Sequence, residues 1–477
     1  MNAFKDILIT FFPILILILM LVFNVVYFKN SLQGPNQIAL VISTLVASAI
    51  AYSRSITIKE LGIGVIESIK SSFNAIMILL IIGGLTATWI LSGIVPAMIY
   101  YGVELINPDF FLVTTCIICA VVSIATGSSW TTAATVGVAL IGVGNLLSIN
   151  SSLVAGAILS GAYFGDKMSP LSETTNLAPS VSGSNLINHI KYMTHTTIPT
   201  IIITLLIFFF IGVSDQKTIV SLDEMHVFLN VITSYFYIGF ELFMLPLLVV
   251  ILIYNKFSAI STLLIGLFAG ALFAYIFQIE LITQINIAAN NNTLETIIQT
   301  VFLGTDIDLN NQSMNALLDK GGVIGMLWII LLVLTAMAFG GVMYAGGFLK
   351  KITSLLVSKA SSHASIITST TGSCVFFNLT TCDQYLAIVI PGRMFKEVYE
   401  EHGLASTNLS RTIEDSGTVT SVLVPWNSCS AYHSTTLGID PISFIPFCFF
   451  NLISPFMTLL FAYLNIKIEK IKHAKKE

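Results

Sequence analysis

The sequence predicts an all-α polytopic membrane protein made of two inverted-topology repeats, with re-entrant hairpins, broken helices and about 10 to 13 membrane elements. Hydrophobic residues make up 55% of the 477 residues and charged residues only 10%, whereas a soluble domain averages about 25% charged residues. The mean hydropathy is +0.89. Apolar runs of membrane length recur along the chain, and polar clusters rich in Gly, Pro and Ser interrupt both halves.

The first apolar run, residues 7–28, is long enough to span a bilayer and is followed by no small-residue cleavage pattern. It is therefore predicted as the first transmembrane helix. Further spans are predicted at 37–53, 73–92, 110–126, 130–147, 197–213, 235–253, 258–277, 322–344, 364–382 and 442–464. Pieces that are shorter or richer in helix breakers are predicted as half-helices and re-entrant hairpins, at 94–106, 151–164, 384–392 and 416–432.

Basic residues indicate the orientation, because cytoplasmic loops are enriched in Lys and Arg. One consistent threading places both termini and all the following basic residues in the cytoplasm: Arg54, Lys59, Lys70, Lys191, Lys256, Lys350, Lys351, Lys359 and the basic tail at 466–477. The loops that this threading places outside are acidic on balance, including the long polar segment 278–321.

The threading also predicts an internal duplication. Spans 7–28, 37–53 and 73–92 have counterparts at 235–253, 258–277 and 322–344, and the two sets start on opposite sides of the membrane. Ser123 to Ser128 resembles Ser369 to Ser373, and Pro170-Leu171-Ser172 resembles Pro425-Trp426-Asn427. The expected division is a first repeat at 1–213, an external connector at 214–234, a second repeat at 235–465 that includes the long loop, and the tail.

Several classes of protein are disfavoured. The net charge is only -4 and the basic residues are scattered, so nucleic acid is not an expected partner. No HExxH, GxSxG or GxxxxGKS pattern is present, so an enzyme is not expected. Cys116 and Cys119 form a CxxC without a second ligand pair, so they are predicted to be buried hydrophobic residues rather than a zinc or redox site. No cofactor is expected.

The most unusual stretch is 160–179, which places Asp166, Lys167 and Glu173 among helix-breaking glycines and Pro170 between apolar flanks. Ionisable groups at membrane depth cost roughly 2.5 to 3.5 kcal/mol each, so they mark cavities, pathways or partners. Related polar stretches occupy 125–135, 370–384 and 414–436. Small residues also allow close helix packing, but four clusters in two pairs favour an ion site.

The residue types in these clusters suit a hard cation, which prefers several oxygen ligands. Burial favours the protonated carboxyl group and a bound cation favours the ionised one, so a proton and Na+ would compete for one group. Asp166 is predicted to be that group, with Glu173 and Asp383 as further carboxylates. An intramembrane aspartyl pair that shares a proton is a less suitable alternative. The candidate oxygen donors are Thr126, Ser128, Ser129, Ser169, Ser172, Asn176, Thr371, Ser373, Asn378 and Asn427.

Four stretches resemble signature sequences of the NhaC family of Na+/H+ antiporters, which includes malate/lactate-linked members: GAYFGDKMSPLSETTNLAP, TGSSWTTAATVG, CDQYLAIVIPGRMF and EDSGTVTSVLVPWNSCSAY. The resemblance implies a multi-pass carrier of the bacterial cytoplasmic (inner) membrane, driven by ion gradients. It also implies kinship with the ion-transporter superfamily, in which inverted repeats supply hairpins and unwound helices to a midplane site. The position opposite Asp166 is expected at Val422 to Val424, so a symmetric carboxylate pair is not expected.

The sequence thus favours exchange of Na+ for H+ at one midplane site, with the lipid bilayer and the two ions as partners. An exchanger that also carries a small carboxylate such as malate or lactate is the alternative, with Arg393 as its anion contact. A channel is disfavoured because no span carries a continuous polar face. A homodimer is expected by analogy with relatives.

Overall fold

The computed structural model describes residues 2–28, 33–71, 73–105, 108–214, 222–255, 257–289, 292–305, 322–349, 351–352 and 362–471. The predicted all-helical class is confirmed for this part of the chain. Parts of the connector, the long loop and the tail (215–221, 306–321 and 472–477) and three of the basic residues used for orientation (Lys256, Lys350 and Lys359) lie outside the described residues.

The first half contains ten helices among the described residues. They are α1 (Asn2–Tyr27), α2 (Pro35–Ser53), α3 (Ile58–Ser71), α4 (Phe73–Leu91), α5 (Ile94–Leu105), α6 (Phe111–Thr126), α7 (Ser129–Leu146), α8 (Ser151–Met168), α9 (Glu173–Ser182) and α10 (Leu186–Ser214).

The second half continues after the connector. Its main helices are α11 (Leu222–Tyr235), α12 (Met244–Tyr254), α13 (Ala259–Phe277), α14 (Ile279–Ala289), α15 (Thr293–Leu303), α16 (Leu327–Ala345), α17 (His363–Thr381), α18 (Gln384–Glu401), α19 (Ser406–Ile413), α20 (Ser428–Leu437) and α21 (Phe449–Tyr463). A π-helical turn (Glu414–Thr418) and a 3-10 turn (Ser421–Leu423) extend α19. Within the described residues, five helices are long and apolar enough to cross a membrane. Three bent helix pairs bring the number to eight if each pair is one span.

Each half contains two chain breaks, and each break in the first half has a counterpart with the same local geometry in the second half. Gly127 adopts a left-handed conformation (φ 69°) and Ser128 then caps α7, while Cys382 (φ 58°) and Asp383 do the same for α18. The other breaks contain Pro170 and Pro425 and are followed by the N-caps Ser172 and Asn427. The sequence separation between matching positions is constant, as in the pairs 128 and 383, 172 and 427, and 183 and 438.

Three expectations about these elements were wrong. The pieces 151–164 and 384–392 belong to the continuous 18-residue helices α8 and α18 rather than to half-helices. The Thr371 to Ser373 cluster lies in the middle of α17, and the second-half break that matches Gly127-Ser128 is Cys382-Asp383 instead. The residue that matches Asp166 at the constant separation is Ser421 rather than Val422 to Val424.

Close packing of α8 on α6 sets the position of the first polar stretch. A Cβ at Gly161 would lie 2.1 Å from the Cys116 carbonyl oxygen, and one at Gly165 would lie 2.4 Å from that of Ala120. Glycines spaced four residues apart let helix backbones approach in this way. The Ser123 hydroxyl also donates a hydrogen bond to the Ala162 carbonyl oxygen at 2.6 Å. This contact brings the end of α8 beside the α6–α7 break.

Gly161→Ala is expected to destabilise the protein by about 1–3 kcal/mol, because the added methyl group overpacks a backbone contact. Gly372→Ala is the matched control: Gly372 also lies within a helix, but its Cβ would meet no atom within 4 Å. The control should be neutral or slightly stabilising. The apparent unfolding temperature in detergent measures both effects, and equal temperatures for the two variants would contradict the packing argument.

Candidate functional site

A cavity of about 670 Å3 lies where the chain breaks meet. A Cβ at Gly127 would lie 2.7 Å from the Leu171 carbonyl carbon, so the two first-half breaks are in direct contact. In the second half, the Ser428 amide donates to the Cys382 carbonyl oxygen at 3.0 Å. The cavity extends from these breaks to α4 and the start of α13, and its lining includes Thr126, Ser128, Thr131, Asp166, Ser172, Glu173, Thr174, Asn176, Phe257, Ser258, Gln384 and Tyr385.

Asp166 lies in the last turn of α8, is 6% exposed and lines the cavity. Its Oδ2 accepts hydrogen bonds from the Ser129 amide at 3.0 Å and the Ser129 hydroxyl at 2.7 Å. The Ser172 hydroxyl also faces this carboxyl group. Because Ser129 is the first residue of α7, the carboxylate lies at the positive end of that helix, where a negative charge is stabilised.

Side chains satisfy the backbone carbonyl groups that the α8–α9 break leaves free. The Thr175 hydroxyl lies 3.1 Å from the Asp166 carbonyl oxygen and 3.0 Å from that of Lys167. The Asn176 amide nitrogen donates to the Pro170 and Ser172 carbonyl oxygens at 2.8 and 2.7 Å. Broken helices are tolerated at membrane depth where such partners are available. Specific hydrogen bonds therefore stabilise the break, and Asn176 provides two of them from the cavity wall.

In the second-half breaks, uncharged residues occupy the positions that match Asp166 and Ser129. Ser421 matches Asp166 and Gln384 matches Ser129, and the Ser421 hydroxyl lies 3.5 Å from the Gln384 side-chain oxygen. Asp383 matches Ser128, and its Oδ1 accepts from the Leu386 amide at 2.9 Å as the N-cap of α18. Among these matched positions, Asp166 is therefore the acidic residue that lines the cavity, whereas Asp383 caps a helix.

The structure brings only part of the predicted set together. Thr126, Ser128, Asp166, Ser172, Glu173 and Asn176 line the cavity, and Ser129 bonds to Asp166. The Ser169 hydroxyl bonds instead to the Ile124 carbonyl oxygen at 2.7 Å. The remaining predicted residues lie away from this lining. Asp383 caps α18, and Asn378 and Asn427 bond to each other beside the break that contains Pro425. Thr371 and Ser373 lie within α17, and Arg393 is exposed on α18.

Glu173 connects the two halves across the cavity. It is the first residue of α9, and its Oε2 accepts a hydrogen bond from the Tyr385 hydroxyl at 2.6 Å. Tyr385 belongs to the first turn of α18, so this bond connects the start of α9 to the start of α18. Glu173 is exposed towards the cavity. A second carboxyl group therefore faces the same space as Asp166.

Sequence reasoning missed a group of buried charges behind the cavity. Lys167 does not pair with its neighbour Asp166 but forms an ion pair with Asp415, and both side chains are 0% exposed. Asp415 also accepts from the hydroxyls of Thr196, at 2.8 Å, and Thr458. Next to it, Glu414 is fully buried. The signal in the sequence was the acidic pair of EDSGT, which together with Arg411 places three charged residues close together in one helix that is otherwise uncharged.

Chemically, the cavity suits a small hard cation. Asp166 supplies one carboxyl group, Ser129 and Ser172 supply hydroxyl oxygens beside it, and Glu173 adds a second carboxyl group. Such oxygen ligands are those that hard cations prefer. In the described residues, no cluster of His, Cys, Asp and Glu suits a resident metal ion, and all six cysteines are buried and unpaired.

The chain is similar to known membrane antiporters. Residues 161–466 match the model of the Na+/H+ antiporter family. The chain is 37% identical over 441 residues to the Na+/H+ antiporter NhaC of Alkalihalophilus pseudofirmus, covering 92% of each protein. It is 33% identical over 454 residues to the malate-2H+/Na+-lactate antiporter of Bacillus subtilis, covering 95% of this chain and 94% of the relative. It is also 33% identical over 420 residues to the arginine/ornithine antiporter ArcD of Halobacterium salinarum, covering 87% and 84%.

Proposed function

Because this chain belongs to the Na+/H+ antiporter family, we propose that it exchanges Na+ for H+ across the bacterial cytoplasmic membrane by alternating access. Na+ or a proton occupies Asp166, but not both at once, and only the loaded site changes sides. This competition gives obligatory exchange without ATP. Both ions are cargo, so the proposal includes no resident cofactor and no enzymatic step.

The observation that carries the proposal is the environment of Asp166. This single carboxylate faces the cavity at the crossing of two chain breaks, with the hydroxyls of Ser129 and Ser172 beside it. Na+ would bind to these oxygens, and a proton would replace it on the carboxylate when the ion leaves. The matching Ser421 in the second half is neutral, which supports one charged site rather than a symmetric pair.

Two inverted repeats, at 1–213 and 235–465 with the connector 214–234 between them, form part of the proposal. Helices α7 and α18 both have 18 residues, and α9 and α20 both have 10. In the outer helices, α4 packs on α13 as α16 packs on α2. The His363 ring lies 3.3 Å from the His402 carbonyl oxygen, so α17 and α18 start and end on one side, as a re-entrant hairpin would.

The residues that form the cavity wall favour a conformation that is open to the cytoplasm. Its wall includes Phe257 and Ser258, which directly follow the predicted cytoplasmic residue Lys256, and Leu186, which precedes Lys191. By the positive-inside rule both segments face the cytoplasm. Alternating access would close this side and open the other around the same carboxylate.

Orientation can be tested with single cysteines. Ser258→Cys is expected to react with a membrane-impermeant maleimide in inside-out vesicles and Asp440→Cys in right-side-out vesicles, since both positions are exposed. The native protein is the matched control and should label little, because its six cysteines are buried. Reaction of Ser258→Cys from the outside alone would contradict the proposed orientation.

Exchange linked to a small carboxylate is the second candidate, suggested by the malate-2H+/Na+-lactate relative. The cavity gives it less support than Na+/H+ exchange. Its described lining carries Asp166 and Glu173 and no Lys or Arg, and Arg393 lies exposed on α18 outside this lining. An organic anion would therefore meet negative charge without a compensating cation.

The proposed function is tested in proteoliposomes that contain a pH dye, with the voltage clamped by K+. A Na+ pulse outside, in buffer free of organic acids, should drive Na+ into the lumen and protons out of it. The luminal pH should therefore rise, and the rate of the rise should saturate with Na+ concentration. No response until malate or lactate is added would overturn simple exchange in favour of the carboxylate-linked exchanger. A response only to a cationic amino acid would overturn both.

A further inference from the structure

We propose that Glu414 is a second proton-binding carboxyl group, connected to Asp166 by the hydroxyls of Ser172 and Thr174. The inference rests on the proposed Na+/H+ exchange and specifies how many protons are exchanged for each Na+. One Na+ that binds at Asp166 would then displace protons from two carboxyl groups. The exchange would move net charge across the membrane.

The first step of the argument is the isolation of Glu414. It is 0% exposed, and within the described residues neither carboxyl oxygen has a hydrogen-bond partner of ordinary geometry. An unpaired carboxylate in such a place is costly, so the group carries a proton unless a positive charge approaches. It begins the π-helical turn Glu414–Thr418, and such turns occur frequently at functional sites.

The second step is a path for the proton. The Ser172 hydroxyl faces the Asp166 carboxyl group and lies 3.1 Å from the Thr174 hydroxyl. The hydroxyls of Thr418, in the same π-helical turn, and of Thr174 in turn face Glu414. Because Ser172 and Thr174 both line the cavity, this row of hydroxyls connects the buried carboxyl group to the cavity as well as to Asp166.

The third step concerns the charges around Glu414. Lys167 and Asp166 face it from α8, and the Cys374 thiol faces it from α17. The Lys167 charge is already neutralised by Asp415, and His189 of α10 faces that pair. Arg411, three residues before Glu414 and also fully buried, instead contacts the Lys467 carbonyl oxygen at 3.4 Å and the Tyr192 ring at 4.5 Å. Among the described residues, the nearby cations are therefore engaged with other groups. Na+ at Asp166 is the added positive charge that favours loss of the Glu414 proton.

The test counts the protons that Na+ binding releases from the purified full-length protein. A pH-indicator dye in weakly buffered detergent solution reports the release over a series of starting pH values. The native protein should release more than one proton per bound Na+, about two at its maximum, because the two carboxyl groups titrate as a coupled pair. Glu414→Gln should release at most one. Glu400→Gln, at an exposed position of α18, should behave like the native protein.

Equal proton counts for the native protein and Glu414→Gln would overturn the inference and leave Na+/H+ exchange intact. No release from the native protein at any pH would instead overturn the proposed exchange and this inference with it. Thr174→Val provides a second test if Glu414→Gln fails to fold. It should keep the full count but slow the second proton in stopped-flow measurements, and an unchanged time course would contradict the path.

Discussion

Asp166→Asn is expected to abolish Na+-driven proton movement in proteoliposomes, a loss of at least about a hundredfold if Asp166 is the group that exchanges the proton. Asparagine has nearly the same shape, and its side-chain oxygen can still accept from the Ser129 amide and hydroxyl. It holds no exchangeable proton and attracts Na+ less strongly than a carboxylate. The protein should therefore insert and fold normally while the coupling is lost.

Asp383→Asn is the matched control for this change. Asp383 is also buried beside a chain break, but its carboxyl group caps α18 through the Leu386 amide. Asparagine caps helices about as well as aspartate, so exchange should continue. Retained exchange in Asp166→Asn would remove this residue from the mechanism. Equal loss in both variants would show that the first result reflects the local fold rather than the chemistry of Asp166.

The sequence was sufficient to predict the helical class and the breaks that contain Pro170 and Pro425, because proline and glycine interrupt apolar runs visibly. The Cys382-Asp383 break carries neither residue. Its left-handed Cys382 is held by a tertiary contact, the hydrogen bond from the Ser428 amide at 3.0 Å. The local signal for this break was Asp383, a preferred N-cap residue that separates the predicted pieces 364–382 and 384–392. The left-handed conformation of Cys382 has no such local signal.

The cluster at 369–373 is the opposite case, because its residue types suggest a chain break but form a continuous helix. Thr370 and Ser373 bond back to the Ile366 and Ser369 carbonyl oxygens at 2.8 and 2.7 Å, so their hydroxyls are accommodated in a continuous helix. Gly372 meets no neighbour that would require its small size. The same residue types therefore form a chain break at Gly127 and an ordinary helix at Gly372, and only tertiary packing distinguishes them.

The partner of Lys167 could not be predicted either, because Asp415 is distant in the sequence. The two half-chains contribute one charge each, so the pair joins α8 to the π-helical turn after α19. A buried pair of this kind is weak evidence for net stability, since desolvation offsets the attraction. Its effect becomes large when only one partner is removed.

Asp415→Asn is expected to destabilise the protein by about 3–5 kcal/mol, because it leaves the Lys167 ammonium buried without a counter-charge. The apparent unfolding temperature in detergent measures this loss.

Two further variants separate the buried charge from the other contacts of Asp415. Lys167→Met together with Asp415→Asn should recover most of the stability, since neither charge remains and the Asn side chain can still bond to Thr196. Asp6→Asn, which weakens the partly exposed pair with Arg54, should cost no more than about 1 kcal/mol. If the double variant were as unstable as Asp415→Asn alone, the hydrogen bonds of Asp415 and not the charge of Lys167 would account for the loss. The junction between the two halves would then depend on hydrogen bonding to threonine rather than on electrostatic pairing.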